Sequence, residues 1–358
     1  MNHEAKESSG PGILITMAAF IVVVAGLRVA SPILIPLLLS AFIAVISSPP
    51  LFWLKRKGVP TIIAMIIVIS AVLILVLLIA ALIGTSLDDF SRNLPLYQER
   101  LREKTNVLLA WIGHTGFDIS IDKLYEVFNP SIAMRLVTKM LSGLSGVLTN
   151  GFLILFTVIF ILLEASSFSG KLQKILTDPA KSLAYFDKFM HNVQSYMVIK
   201  TLVSIGTGIA VAIWLAVLGV DFPLLWGLLA FLLNYIPNIG SILAAIPAVL
   251  LAFIQLGKIP AILTIAGYVT VNIVIGNFVE PKLMGRGLGL STLVVFLSLI
   301  FWGWVFGPVG MLLSVPLTMT LKIALDSKED TRWLAILMGE MPHKKPEQKD
   351  IAASKKES

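Results

Sequence analysis

The chain has 358 residues, of which 57% are hydrophobic and 14% charged, with a mean hydropathy of +0.90. Soluble chains are nearer one-quarter charged, so this composition excludes an ordinary aqueous globule and points to an integral membrane protein with a small aqueous part. The net charge of +7 does not indicate a nucleic-acid partner, because no basic run is interleaved with aromatics and the cations sit beside apolar runs. Cysteine is absent, which removes disulfides and thiolate metal sites.

Met1–Gly12 is polar and shows no small-residue cleavage site, so the apolar run after it reads as a retained membrane segment. Ile13–Leu27 and Ile33–Ile46 are two short apolar runs parted by Arg28, Ser31 and Pro32, either two compact spans or a bent pair. Lys55, Arg56 and Lys57 follow, and three cations in a short loop mark the cytoplasmic side. Thr61–Ile83 is an uninterrupted span that closes an N-terminal membrane region, 1–84. Residues 85–146 form a small helical segment on the outer, periplasmic side, with a helix start predicted at Asn129-Pro130-Ser131. Span 147–163 returns the chain to the cytoplasm. In 164–199, lysines such as Lys171, Lys174 and Lys188 alternate with apolar residues, the pattern of amphipathic helices on an anionic leaflet.

The remaining membrane part, 200–325, contains two hydrophobic stretches that break in the middle. The first, 222–256, is interrupted over Asn234–Gly240, and the second, 290–325, over Trp302–Gly310. Each leading arm is about a dozen residues, roughly 18 Å of helix, against a hydrocarbon core of roughly 30 Å. Non-helical backbone at that depth must be received by protein or a water-lined cavity. Paired Gly/Pro-interrupted segments are the sequence pointer to a transporter's substrate site. The predicted fold is therefore an all-α polytopic membrane protein. It has about five to six full spans plus two re-entrant hairpins in an inverted repeat, each unit being one crossing and one hairpin. Residues 326–358 are a charged cytoplasmic tail.

The stretches WGLLAFLLNYIPNIGSILAAIP and GNFVEPKLMGRGLGLSTLVVFLSLIFWGWVFGPVGMLLSVPLT, between Trp226 and Thr318, strongly resemble the autoinducer-2 exporter family. The likeness extends more loosely over the whole chain. It implies a multi-pass inner-membrane protein with both termini cytoplasmic, assembled as a homo-oligomer, most simply a pentamer, in which each protomer works through its own hairpins. The implied partners are the bilayer, further copies of the chain and a small polar signalling molecule. Related members are assigned other cargoes, including cation/proton exchange, so a sodium/proton antiporter or a broad efflux protein stays open beside export of the furanone signal.

Candidate residues divide between binding and architecture. Asn234, Asn238 and Ser241 offer amides and a hydroxyl to a polyhydroxylated cargo, or merely cap broken helix ends. Pro237 and Gly240 shape the first turn. At the second tip, Trp302 and Trp304 flank Gly303, too deep for an interfacial belt, and Gly307, Pro308 and Gly310 complete the break. Asn272, Asn277 and Glu280 lie on the crossing between the hairpins, and an acid there is a candidate for proton coupling. The alternative for Glu280 is a helix-end salt bridge to Lys282 or Arg286. Lys200 reads as a snorkelling cation. His3, His114, His191 and His343 have no metal-ligand spacing, and no phosphate-binding loop occurs, so neither a metal, a cofactor nor an enzymatic activity is expected.

Overall fold

A computed structural model describes the backbone of residues 10–113, 150–175, 179–237, 239–284, 289–327 and 329–339, and most of their side chains. The helix start at 129–131, the rest of the segment after 113 up to 149, and the tail beyond 339 fall outside these residues. Every regular element described is helical, and five helices are long and apolar enough to cross a membrane.

Helices α1 (Gly10–Val29) and α2 (Ser31–Arg56) are parted by one residue, Ala30, just before Pro32. Ala30 keeps right-handed backbone angles (φ −78°, ψ −1°), so no loop separates the two helices. Helix α3 runs from Thr61 to Gly113 without a break, so the span expected to end near residue 84 continues as one rod into the polar segment. Gly84 and Pro95 both lie inside it. Helices α4 (Gly151–Ile175) and α5 (Pro179–Leu218) likewise extend through the expected boundaries at 163 and 199.

Helix α6 (Pro223–Leu233) and α7 (Gly240–Leu256) form the first hairpin. Its base is closed by Gln255, whose side chain accepts from the Asp221 N–H at 3.0 Å. The crossing that follows is α8 (Lys258–Asn272), a π-helical turn (Ile273–Val279) and α9 (Glu280–Met284). Helix α10 (Thr292–Asp326) consists of two helical arms that meet at Gly307, whose φ of 64° and ψ of −147° belong to glycine. Contact between residues sixteen apart proves the reversal: Trp302 Nε1 donates to Thr318 Oγ1 at 3.0 Å, whereas a straight helix would hold them about 24 Å apart. The break is thus narrower than the sequence suggests, since Trp302 to Phe306 are still helical. A short helix, α11 (Arg332–Leu337), packs back on the base of this hairpin, where Ser291 N–H donates to Met338 O at 3.0 Å.

The two hairpins enter from opposite ends of α5. The base of the second lies against Val193, Tyr196 and Met197 near the start of the α5 span. The first hairpin leaves from Leu218 at its far end, and its leading arm runs back along α5. Gly208 and Gly227 make that close approach possible, because a Cβ on Gly208 would stand 2.7 Å from Gly227 O. A Cβ on nearby Gly206, by contrast, would meet nothing within 4 Å.

Candidate functional site

Each tip is built on one glycine pressed against a carbonyl near the end of the preceding arm. A Cβ on Gly240 would collide with Leu233 O, and one on Gly310 would collide with Trp302 O. The residue four before each glycine supplies the other wall: Ile236 Cβ would be 3.2 Å away and Phe306 Cβ 2.8 Å. Neither glycine has a positive φ, so the requirement is for space and not for backbone freedom. The two breaks share this device although they share little sequence.

At the first tip, Pro237 interrupts the donors, and the chain turns on its own amides: Ile239 N–H donates to Pro237 O and Gly240 N–H to Ile236 O. These two N–H groups are therefore engaged within the turn. Asn234 ends α6, but its side chain does not cap the helix; it donates to Ser204 Oγ of α5 at 2.9 Å. Tyr235 donates to Thr201 Oγ1 at 2.7 Å and meets Phe42 of α2 edge-on, with centroids 5.4 Å apart. Asn238 lies outside the described residues. Helix α7 starts without a side-chain cap, so the capping role considered for Ser241 is not used.

Ser241 instead lines an open groove of about 690 Å³ between α7 and α8, together with Asn272. The other walls, among them Ala245, Leu250, Phe253 and Ile265, are apolar apart from Tyr268. Asn277 is exposed on the π-helical turn, away from either tip's described hydrogen bonds.

At the second tip, Trp302 stacks on Phe306 at 5.6 Å, and Gly303 leaves room for the Met311 side chain. Pro308 is exposed just past the Gly307 reversal. Trp304 is exposed and receives the Arg28 guanidinium over its ring at 4.3 Å, which ties α1 to the tip. Ser298 and Ser314 only bond carbonyls of their own helix. No described hydrogen bond or ring contact joins the two tips. Both lie along α2, the first at Phe42 and the second at Leu34, Ile35 and Leu38.

One residue pair corrects the sequence reading. Lys200 is 5% exposed and does not reach for headgroups; its ammonium lies 2.7 Å from Glu280 Oε1. Glu280 accordingly pairs across the fold with α5 rather than with Lys282 on its own helix. Two lone opposite charges at the ends of neighbouring apolar runs were the available signal. Among the described residues, no cluster of His, Asp and Glu could hold a metal.

Residues 14–330 match the sequence profile of the AI-2E family transporters. The AI-2 transport protein TqsA of Escherichia coli is 42% identical over 333 residues, covering 93% of this chain and 97% of that protein. A Haemophilus influenzae protein described as a transport protein, with no cargo named, is 40% identical over 334 residues, 92% of this chain and 96% of its own length. The Bacillus subtilis protein YrrI, again with no cargo named, is 28% identical over 314 residues, covering 82% and 86% respectively.

Proposed function

The chain belongs to the AI-2E transporter family, and from that membership we propose that it is a secondary transporter exporting the furanone signal autoinducer-2 from the bacterial cytoplasm. The observation that carries the reading is the opposed pair of helical hairpins, each with a tip closed on a glycine, entering from the two ends of α5. Hairpins of this kind, re-entrant in the bilayer, place broken helix ends near mid-depth, where a cargo is held and exposed alternately to each side. The polar side chains at the first tip and the adjacent crossing (Asn234, Asn238, Ser241, Asn272 and Asn277) supply hydrogen bonds to a small oxygen-rich molecule, and Trp302 bounds the second tip. The hairpins move together, elevator-like, against a frame of α1 to α3. The protein sits in the inner membrane as a homo-oligomer, with both termini cytoplasmic.

The test is accumulation of labelled autoinducer-2 in inverted membrane vesicles, with and without a pH gradient. Uptake above vesicles lacking the protein supports the reading, and none refutes it. A second reading, broad efflux, draws on the apolar walls of the α7–α8 groove. Competition by an apolar dye against labelled signal separates the two.

A further inference from the structure

One turn of α5 carries both the ion pair and the anchor points of the first tip. Lys200 holds Glu280, Thr201 accepts from Tyr235, and Ser204, which is fully buried, accepts from Asn234. Glu280 stands where the π-helical turn passes into α9. Such turns are rare insertions in helices and recur at functional sites. The pair also joins the crossing of one hairpin unit, α5, to the crossing of the other. We propose that Lys200 and Glu280 form the proton-coupling device of transport: Glu280 takes up a proton on one side of the membrane and releases it on the other, and Lys200 occupies the carboxylate whenever the proton has left.

A buried carboxylate and ammonium sustain each other, and removing one charge leaves the other uncompensated in a poor solvent. Protonation of Glu280 does this to Lys200, which shares its helical turn with the Thr201 and Ser204 hydroxyls that hold the first tip. The ammonium must then seek acceptors already used by Tyr235 and Asn234, so loss of the ion pair loosens the first tip from α5. In the proposed cycle, the closed pair seen here is the state in which Lys200 occupies the carboxylate. The other ionisable groups near the carboxylate are Tyr196 of α5, within electrostatic reach of both Glu280 and Tyr235, Tyr235 itself at the tip, and Lys282 on α9. One proton crosses inward for each cargo molecule released outward, and no other reactant is needed. The proposal rests on the export reading only for the identity of that cargo.

The test uses the purified full chain in liposomes with a trapped pH dye, comparing wild type, Glu280→Gln, Lys200→Gln and the exposed-site control Glu99→Gln. Size-exclusion chromatography first establishes that each is assembled. With wild type and the control, a pH gradient accelerates autoinducer-2 flux and the dye reports accompanying proton movement. In Glu280→Gln the rates with and without the gradient become equal and the dye signal is lost. In Lys200→Gln the pH profile of flux moves to higher pH, because no ammonium competes with the proton for the carboxylate. A purely structural pair predicts lower stability with unchanged gradient response and pH profile, and that result overturns the proposal. Wild-type flux with no proton movement overturns coupling while leaving export intact. If autoinducer-2 itself is not carried, a sodium gradient replaces it: proton movement present in wild type and absent in Glu280→Gln supports the device, and none in wild type refutes it.

Discussion

Replacing Gly310 by alanine adds a single methyl group and should abolish transport. The new Cβ would overlap Trp302 O and lie 2.8 Å from Phe306 Cβ, and neither obstacle is a mobile side-chain end. Overpacking a closed contact costs roughly 1–3 kcal/mol, and a clash with backbone belongs at the upper end. At about 1.4 kcal/mol per decade, about 3 kcal/mol leaves on the order of one molecule in a hundred with the tip in this geometry. Gly240→Ala meets Leu233 O in the same way and should match it. Gly303→Ala is the internal comparison, one turn from Gly307 on the same arm: its Cβ would press on Met311 Cγ and Cε, a flexible thioether chain that can swing aside. That variant should lose less than about fivefold, equivalent to under about 1 kcal/mol. Signal accumulation in inverted vesicles gives the rates, and thermal unfolding of the detergent-purified protein gives a readout independent of cargo. Wild-type export and melting in both Gly240→Ala and Gly310→Ala would show that the glycine contacts do not define the tips.

Four further outcomes follow from other parts of the fold. Asn234→Ala leaves the fully buried Ser204 hydroxyl without that donor, which should lower stability by about 1–3 kcal/mol in chemical denaturation; an unchanged midpoint would show the bond to be unimportant. Tyr97→Phe removes the 2.8 Å hydrogen bond to the Asp221 carboxylate at the base of the first hairpin, with an expected loss of roughly 1.5–3 kcal/mol by the same measurement. Because the chain has no cysteine, Glu103→Cys can be labelled selectively, and an impermeant maleimide should reach it only from the periplasmic face, whereas labelling from the cytoplasm would invert the topology. Native mass spectrometry in detergent should show a homo-oligomer, a pentamer if the family resemblance holds, since α1 buries only Val24 among its described side chains and leaves an apolar face for neighbouring copies or lipid; a monomer would refute it.

The first break was legible because Asn234 to Gly240 concentrates residues that stop helices, and the structure ends α6 and restarts α7 at those bounds. The second was read too widely. Gly303, which resembles a helix breaker in sequence, is there for Met311, and the reversal falls on Gly307 alone. Helix boundaries at 84, 163 and 199 followed the change from apolar to polar residues, but polarity changes the solvent of a helix without ending it. The Lys200–Glu280 pair escaped notice because a charge near the end of an apolar run has a ready explanation in snorkelling, while its partner stands eighty positions away. The π-helical turn left no trace, since Ile273 to Val279 is unremarkable in composition. Whether Asn272, Asn277 and the tip asparagines touch a cargo was never a question that residue type alone could answer, as the same amides cap, cross-link or bind according to what faces them.

Helix α2 touches both tips along one side, the second at Leu34, Ile35 and Leu38 and the first at Phe42, and so acts as a graduated rail for them. Side chains on a helix form ridges that recur each turn, about 5.4 Å apart, and a packed neighbour rests stably only with its own side chains between them. A hairpin sliding along α2 is therefore indexed: it passes from one notch to the next and has no comfortable halfway position. Two tips reading the same scale from opposite directions would have to advance by the same number of notches. If the hairpins move as proposed, such a rail gives the carrier discrete stops without any hinge, and the spacing of Leu34, Leu38 and Phe42 would set its step length.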